Sequence, residues 1–303
     1  MTSRPESSGD PRKLVVGFCC NECAYAAADL AGSTHRTHPP NVLVVRVPCS
    51  GAVDPSWLLY ALANGADAVF VAGCRRGECH YVDGNLKAEA RVSFLKSLLE
   101  AVGVEPERVE MFFMAASEPH KFVEAAREMA ARVERLPPLH RRESVPVGPK
   151  RDVLIRALQS IAVEVRDVQL PAVPGFEVPV FDLEKCIGCR ACVEACPNDA
   201  LRSEDSGDYR VFLLSALRCT GCGDCVDACR ENEVEALSLG GVRVPQLLSE
   251  WSEVARVELV RCSVCGRPFA TERELERADS PPICPDCKAK ASAKAISFGR
   301  VRW

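Results

Sequence analysis

The chain has 303 residues, enough for two or three domains, and its 47% hydrophobic and 26% charged residues exclude wholesale disorder. Lys and Arg number 38 against 42 Asp and Glu, and the net charge of −4 argues against a general nucleic-acid binder. The 18 cysteines imply disulfides or metal; a polar start (MTSRPESSGDPRK) and no apolar run near the ~18 residues of a membrane span predict a cytoplasmic metalloprotein without a membrane span.

The cysteines fall into three blocks: six from Cys19 to Cys79, eight from Cys186 to Cys229 and four from Cys262 to Cys287. Through the first block, apolar strand-like runs at 13–18 (rich in β-branched residues), 41–47, 67–73 and 109–116 alternate with helical patterns at 24–32, 55–65, 85–103 and 121–136. Strand–helix alternation predicts an α/β domain over 13–136, a parallel sheet with helices on its faces. Cys20 and Cys23 then follow the first strand, Cys49 the second, and Cys74 and Cys79 the third. Ligands in such sheets bind beyond the carboxyl ends of the strands, so five thiols are delivered to one edge. Cys19 alternates to the other face of its strand and is expected in the core. A thiolate set favours zinc or an iron–sulfur cluster, and spacing alone does not separate zinc from 2Fe–2S here. His80, beside Cys79, either tunes a cluster or packs; Arg75 and Arg76 either supply positive charge or are solvated.

Residues 137–175 read as a linker. The stretch 137–150 is rich in Pro and charge, 151–165 carries Leu154, Ile155, Leu158 and Ile161 on one helix face, and PAVPG (171–175) is a second break.

The second block lies in a predicted second domain, residues 176–243. CIGCRACVEACP (186–197) is C-x2-C-x2-C-x3-C-P, and CTGCGDCVDAC (219–229) repeats the spacing with Arg230 in place of the proline. In this pattern three thiolates of one turn and the fourth of the other bind each cubane. Cys186, Cys189, Cys192 and Cys229 are therefore expected to bind one 4Fe–4S cluster, and Cys219, Cys222, Cys225 and Cys196 the other. The segment SEDSGDYRVFLL between the motifs predicts an inserted hairpin.

In the third block, residues 258–303, CSVC (262–265) and CPDC (284–287) stand 18 residues apart. This spacing predicts a small zinc-ribbon-like module with one zinc ion on Cys262, Cys265, Cys284 and Cys287, a rubredoxin-like iron being the alternative. The basic tail KAKASAKAISFGRVRW, with Phe298 and Trp303, is read as a docking tail for a partner subunit.

The segments CCNECAYAAADLAG (19–32), VPCSGAVDP (47–55), GCRRGECHYVDGN (73–85) and ERVEMFFMAASEPHKF (107–122) resemble, in order, the delta (iron–sulfur) subunit of methyl-viologen-reducing hydrogenases. The resemblance implies one 2Fe–2S cluster on four of Cys20, Cys23, Cys49, Cys74 and Cys79. It also implies electron transfer between a hydrogenase or formate dehydrogenase and heterodisulfide-reductase-like flavoprotein subunits, with flavin-based bifurcation as a setting. Glu22 and Ala24 stand where the family pattern has an aromatic and a Ser, neither a ligand position. The second block similarly resembles bacterial-type two-cluster ferredoxins over about 60 residues, which implies an α+β ferredoxin-like domain over 176–243.

The sequence holds no G-x-G-x-x-G, no P-loop and no nucleophile–base constellation, so no substrate site of its own is expected. The reading is an electron-transfer subunit of a larger redox complex, with one 2Fe–2S cluster, two 4Fe–4S clusters and one zinc. The alternatives are a free ferredoxin-like carrier and a redox-sensing regulator.

Overall fold

Four runs dominated by apolar residues build the first sheet of the computed structural model, which describes residues 13–298. These are β1 (Val15–Cys20), β2 (Val42–Val47), β3 (Ala68–Gly73) and β4 (Val109–Phe113). They lie in the order β2-β1-β3-β4, all parallel. β3 is buried along its whole length, as a central parallel strand covered on both faces must be. A Cβ on Gly17 would stand 2.2 Å from the Phe70 ring, so β1 needs glycine where that ring crosses it. β1 runs two residues beyond the predicted strand because its pairing with β2 continues to Cys20 opposite Val47.

Helices α1 (Ala26–Ser33), α2 (Pro55–Ala63), α3 (Gly84–Ala101) and α4 (Pro119–Arg135) fill the crossovers. A π-helical turn, Asn21–Tyr25, precedes α1 and takes in Ala24 and Tyr25, the first two residues of the predicted helix. Asp54 caps α2 by accepting from the Ser56 N–H at 2.9 Å, with Pro55 in the first turn. α5 (Lys150–Ile161) packs on α2, burying Val153, Leu154, Ala157, Leu158 and Ile161. The Pro-rich stretch before it is tied down as well. Arg141 donates to Leu62 O at 2.7 Å and Ala66 O at 2.6 Å, and Asn64 accepts from the Val145 N–H at 3.0 Å.

The chain divides into two units: residues up to Val173 with Arg243–Leu248, and Pro174–Val242 with the residues from Ser249 on. The second unit contains β5 (Val178–Phe181), α6 (Ala191–Glu194), β6 (Leu201–Ser206), β7 (Tyr209–Leu214), α7 (Asp224–Glu231) and β8 (Leu237–Gly240). β5 pairs antiparallel with β8. β6 and β7 form the expected hairpin, turning through Gly207 at φ +60°. The chain then returns to the first unit as α8 (Val244–Leu248), which packs on α5 with Val244 and Leu247 buried. Arg243 donates to Asp167 at 2.9 Å, and the Val244 N–H to Val168 O at 3.1 Å.

Re-entering the second unit, β9 (Ser252–Glu258) pairs with β7. β10 (Val260–Arg261), β11 (Pro268–Ala270), α9 (Glu272–Arg277) and α10 (Pro285–Phe298) follow, so the C-terminal cysteines share the second unit with the eight of the ferredoxin motifs. Trp303 of the basic tail lies outside the described residues. No helix among the described residues is long and apolar enough to cross a membrane.

Candidate metal centres

Parallel strands leave their carboxyl ends at one edge, and the first-unit thiols gather there. Cys20 is the last residue of β1, Cys49 follows β2 and Cys74 follows β3. Cys20 and Cys74 sulfurs are 3.9 Å apart, and the free thiols of Cys23 and Cys74, and of Cys49 and Cys79, are paired by hydrogen bonds. Backbone N–H groups point at these sulfurs: Ala24 at Cys20 (3.4 Å), Gly51 at Cys49 (3.3 Å) and Ala116 at Cys23. The β4–α4 loop thus supplies an N–H where it supplies no thiol. Burial opposes ionisation of Cys79, but N–H groups of Tyr81, Asn85 and Gly84, at the start of α3, together hold it below the usual thiol range. Burial, then the neighbouring thiols, push Cys23 up to about 12. Cys19 lies fully buried, and burial pushes it up to about 12 as well.

Two residues that sequence reasoning missed shape this edge. A Cβ on Gly84 would stand 2.5 Å from Cys49 Sγ and 3.4 Å from Cys79 Sγ, so glycine is what lets α3 begin against both sulfurs. Asn85, fully buried, donates to Cys74 O at 3.0 Å and Arg75 O at 2.8 Å. Their signal was the DGN at 83–85 that opens α3. The thiols, the inward N–H groups and this Cβ-free cradle fit a soft metal ion or an iron–sulfur cluster. Arg75 is neutralised by Glu118 and Arg76 by Glu89, while exposed His80 packs edge-on to Tyr81 at 5.1 Å.

In the second unit the two motifs form matching turns. Gly188 and Gly221 both have positive φ, +79° and +68°, and α6 and α7 both start from left-handed caps, Arg190 and Gly223. One cavity is lined by Cys186, Cys189, Cys192 and Cys229, and another by Cys196, Cys219, Cys222 and Cys225. Each cavity thus takes three thiols from one motif and the last from the other; Phe181 and Phe212 line the first, while Cys189 and Cys222 reach the surface. Burial raises Cys186 and Cys192 and pushes Cys225 up to about 11, with neighbouring thiols adding to each shift. Four thiols around one concave turn fit a cubane.

The sulfurs of Cys262, Cys265, Cys284 and Cys287 all lie within 4.8 Å of one another. A tetrahedron of ~2.3 Å metal–sulfur bonds has edges of roughly 3.8 Å; Cys265 and Cys284 sulfurs are 3.7 Å apart. The Cys284 N–H donates to Cys262 Sγ at 3.3 Å, and with the Cys265 and Val264 N–H groups it holds Cys262 down to about 6. The arrangement fits a closed four-thiolate ion site.

These features define an iron–sulfur protein. A family model for the 4Fe–4S dicluster domain matches residues 185–234, and that region binds 4Fe–4S. The model of the methyl-viologen-reducing hydrogenase delta subunit matches residues 15–137. The vhu iron–sulfur subunit of the F420-non-reducing hydrogenase from Methanopyrus kandleri is 55% identical over 126 residues, 42% of this chain and 96% of the relative. Its namesake from Methanocaldococcus jannaschii is 50% identical over 125 residues, 41% and 93% of the two chains. The chain therefore belongs, through its first unit, to the methyl-viologen-reducing hydrogenase delta-subunit family. The same region is 40% identical over 126 residues to one subunit of the ferredoxin/F420H2-dependent CoB-CoM heterodisulfide reductase from Methanosarcina acetivorans, 42% of this chain but 16% of that relative.

Proposed function

We propose that this chain is an iron–sulfur electron-transfer subunit that works between a hydrogenase or formate dehydrogenase and a heterodisulfide-reductase-like flavoprotein, in an assembly of the flavin-bifurcating kind in the cytoplasm. One observation carries the reading. The first unit matches nearly the whole of a separate hydrogenase subunit, and it also matches a 16% portion of a much longer heterodisulfide reductase chain. A module that stands alone beside one enzyme and fused within the other belongs at the junction between them.

Four of Cys20, Cys23, Cys49, Cys74 and Cys79 would hold a 2Fe–2S cluster, the eight motif cysteines two 4Fe–4S clusters, and Cys262, Cys265, Cys284 and Cys287 one zinc. Bound, such clusters supply reversible one-electron storage. The chain's own residues supply thiolates, aim N–H groups at them and line the 4Fe–4S sites with apolar side chains.

Affinity purification from native cells under anaerobic conditions, with metal analysis, tests this. The expected result is co-purification of hydrogenase or formate dehydrogenase and flavoprotein subunits, with about ten irons and one zinc per chain. Purification as a lone carrier would refute it, and about eight irons with two zincs would refute the first-unit assignment.

A further inference from the structure

Three consecutive carbonyls of the first cubane turn are each tied from outside the motif. Arg273 donates to Cys186 O at 3.3 Å and to Leu183 O at 3.0 Å, Thr271 Oγ1 donates to Ile187 O, and Arg210 donates to Gly188 O at 2.7 Å. Thr271 and Arg273 belong to the stretch between Cys265 and Cys284. Buried Thr271 caps α9 in a reciprocal capping box with Glu274. Buried Arg210 is gripped by Asp205 and Glu274, each at 2.8 Å, and donates to Phe269 O at 3.2 Å. The packing leaves no slack, since a Cβ on Gly188 would stand 2.8 Å from the Thr271 methyl.

The peptide group is planar and trans, so each carbonyl and the N–H that follows it point opposite ways. Holding the oxygens of residues 186–188 outward turns the N–H groups of Ile187, Gly188 and Cys189 the other way. Of these, the Gly188 N–H bonds Cys186 sulfur. Such bonds stabilise the negative charge that sulfur gains on reduction, and they are a lever on cluster potential. With its two carboxylates beside it, Arg210 brings no net positive charge, so its effect is positional. The second turn rests against a different element: Cys219 Sγ lies 3.7 Å from Glu177 O, and Gly221 abuts the same residue.

We propose that Thr271 and Arg210 are positioning residues that couple the C-terminal four-cysteine site to the Cys186 turn, so that metal in that site raises the reduction potential of one 4Fe–4S centre and not the other. The proposal rests on the ligand reading above.

The test is a redox titration of the full chain, reconstituted anaerobically with iron, sulfide and zinc and followed by electron paramagnetic resonance. Cys189→Ser and Cys222→Ser assign the two signals. In Thr271→Val, the reduction equilibrium of the Cys189-assigned centre is expected to fall about tenfold, about 59 mV for one electron, with the other moving less than about threefold. Thr271→Ser, which keeps the hydroxyl, restores the wild-type value. Cys284→Ser, which opens the C-terminal site, reproduces the selective fall. Where Thr271→Val does not accumulate folded, Arg210→Lys, which keeps the charge and loses the fork, is expected to give the same selective fall. Equal movement of both centres, movement of the other alone, or no movement overturns the coupling. Iron and sulfide analysis of the wild-type chain comes first: fewer than two 4Fe–4S centres would overturn the ligand reading itself.

Discussion

Gly84 and Cys19 show how a single atom separates a binding position from a structural one. Gly84→Ala places a methyl 2.5 Å from Cys49 Sγ, where the neighbour is a sulfur fixed at a strand end rather than the tip of a flexible side chain. The expected outcome is loss of the first-unit iron, about two of about ten per chain, with the 4Fe–4S signals retained. Iron analysis and electron paramagnetic resonance read it directly. Cys19 is adjacent to Cys20 in sequence, but strand alternation turns it to the opposite face. Cys19→Ser is expected to keep full iron content and to lower stability by about 1–3 kcal/mol, because a buried hydroxyl replaces a thiol. Cys49→Ser is expected to do the reverse, losing iron with little change in the fold. Unfolding curves beside iron content distinguish the two.

Between elements, charge does what apolar periodicity cannot. Glu110 on β4 accepts from Lys96 on α3 and Arg132 on α4, each at 2.8 Å, joining three elements through one carboxylate. Partial burial pushes its carboxyl up, but the two cations and the Met111 N–H outweigh that and hold it below the usual range. A carboxylate with a depressed folded pKa adds stability above its unfolded pKa and loses it as pH falls through the folded value. Glu110→Gln should therefore destabilise the first unit by up to about 1 kcal/mol at neutral pH, screening included. The difference should shrink below about pH 4.5, as urea melts at pH 7 and pH 3.5 would show. The elements themselves were legible, since β-branched runs and 3.6-residue stripes are local signals. The second-unit thiol clusters were legible because metal-binding turns are written in fixed spacings, and the first-unit cluster because three strand ends share one edge. The bond from Thr271 to Ile187 O was not, as it joins residues 84 apart in sequence. Its only local trace is the T-x-x-E of a capping box, which marks a helix start and not the partner it holds. Gly84 likewise went unread, because nothing local says that a sulfur 35 positions earlier comes to rest on it.

At the scale of the molecule, the two units interleave along the chain. The first unit is completed by α8, which the chain supplies only after the whole of Pro174–Val242. A chain truncated after Val173 keeps every first-unit cysteine and lacks the buried Val244 and Leu247. Such a truncation is expected to retain its iron and to lose about 2–4 kcal/mol of stability, from apolar surface re-exposed on α5. A urea midpoint no lower than that of the full chain's first unit would show that α8 contributes nothing.

The return of α8 also sets an order in time. Synthesis runs from the amino terminus, and domains ordinarily finish folding as they emerge. Here the first unit gains the packing of its last helix only after about 70 intervening residues, with all eight cubane cysteines, have left the ribosome. The clock for its completion therefore runs through the cofactor-assembly period of its neighbour, and a cell short of iron or sulfide would meet the consequence in both halves of the protein at once.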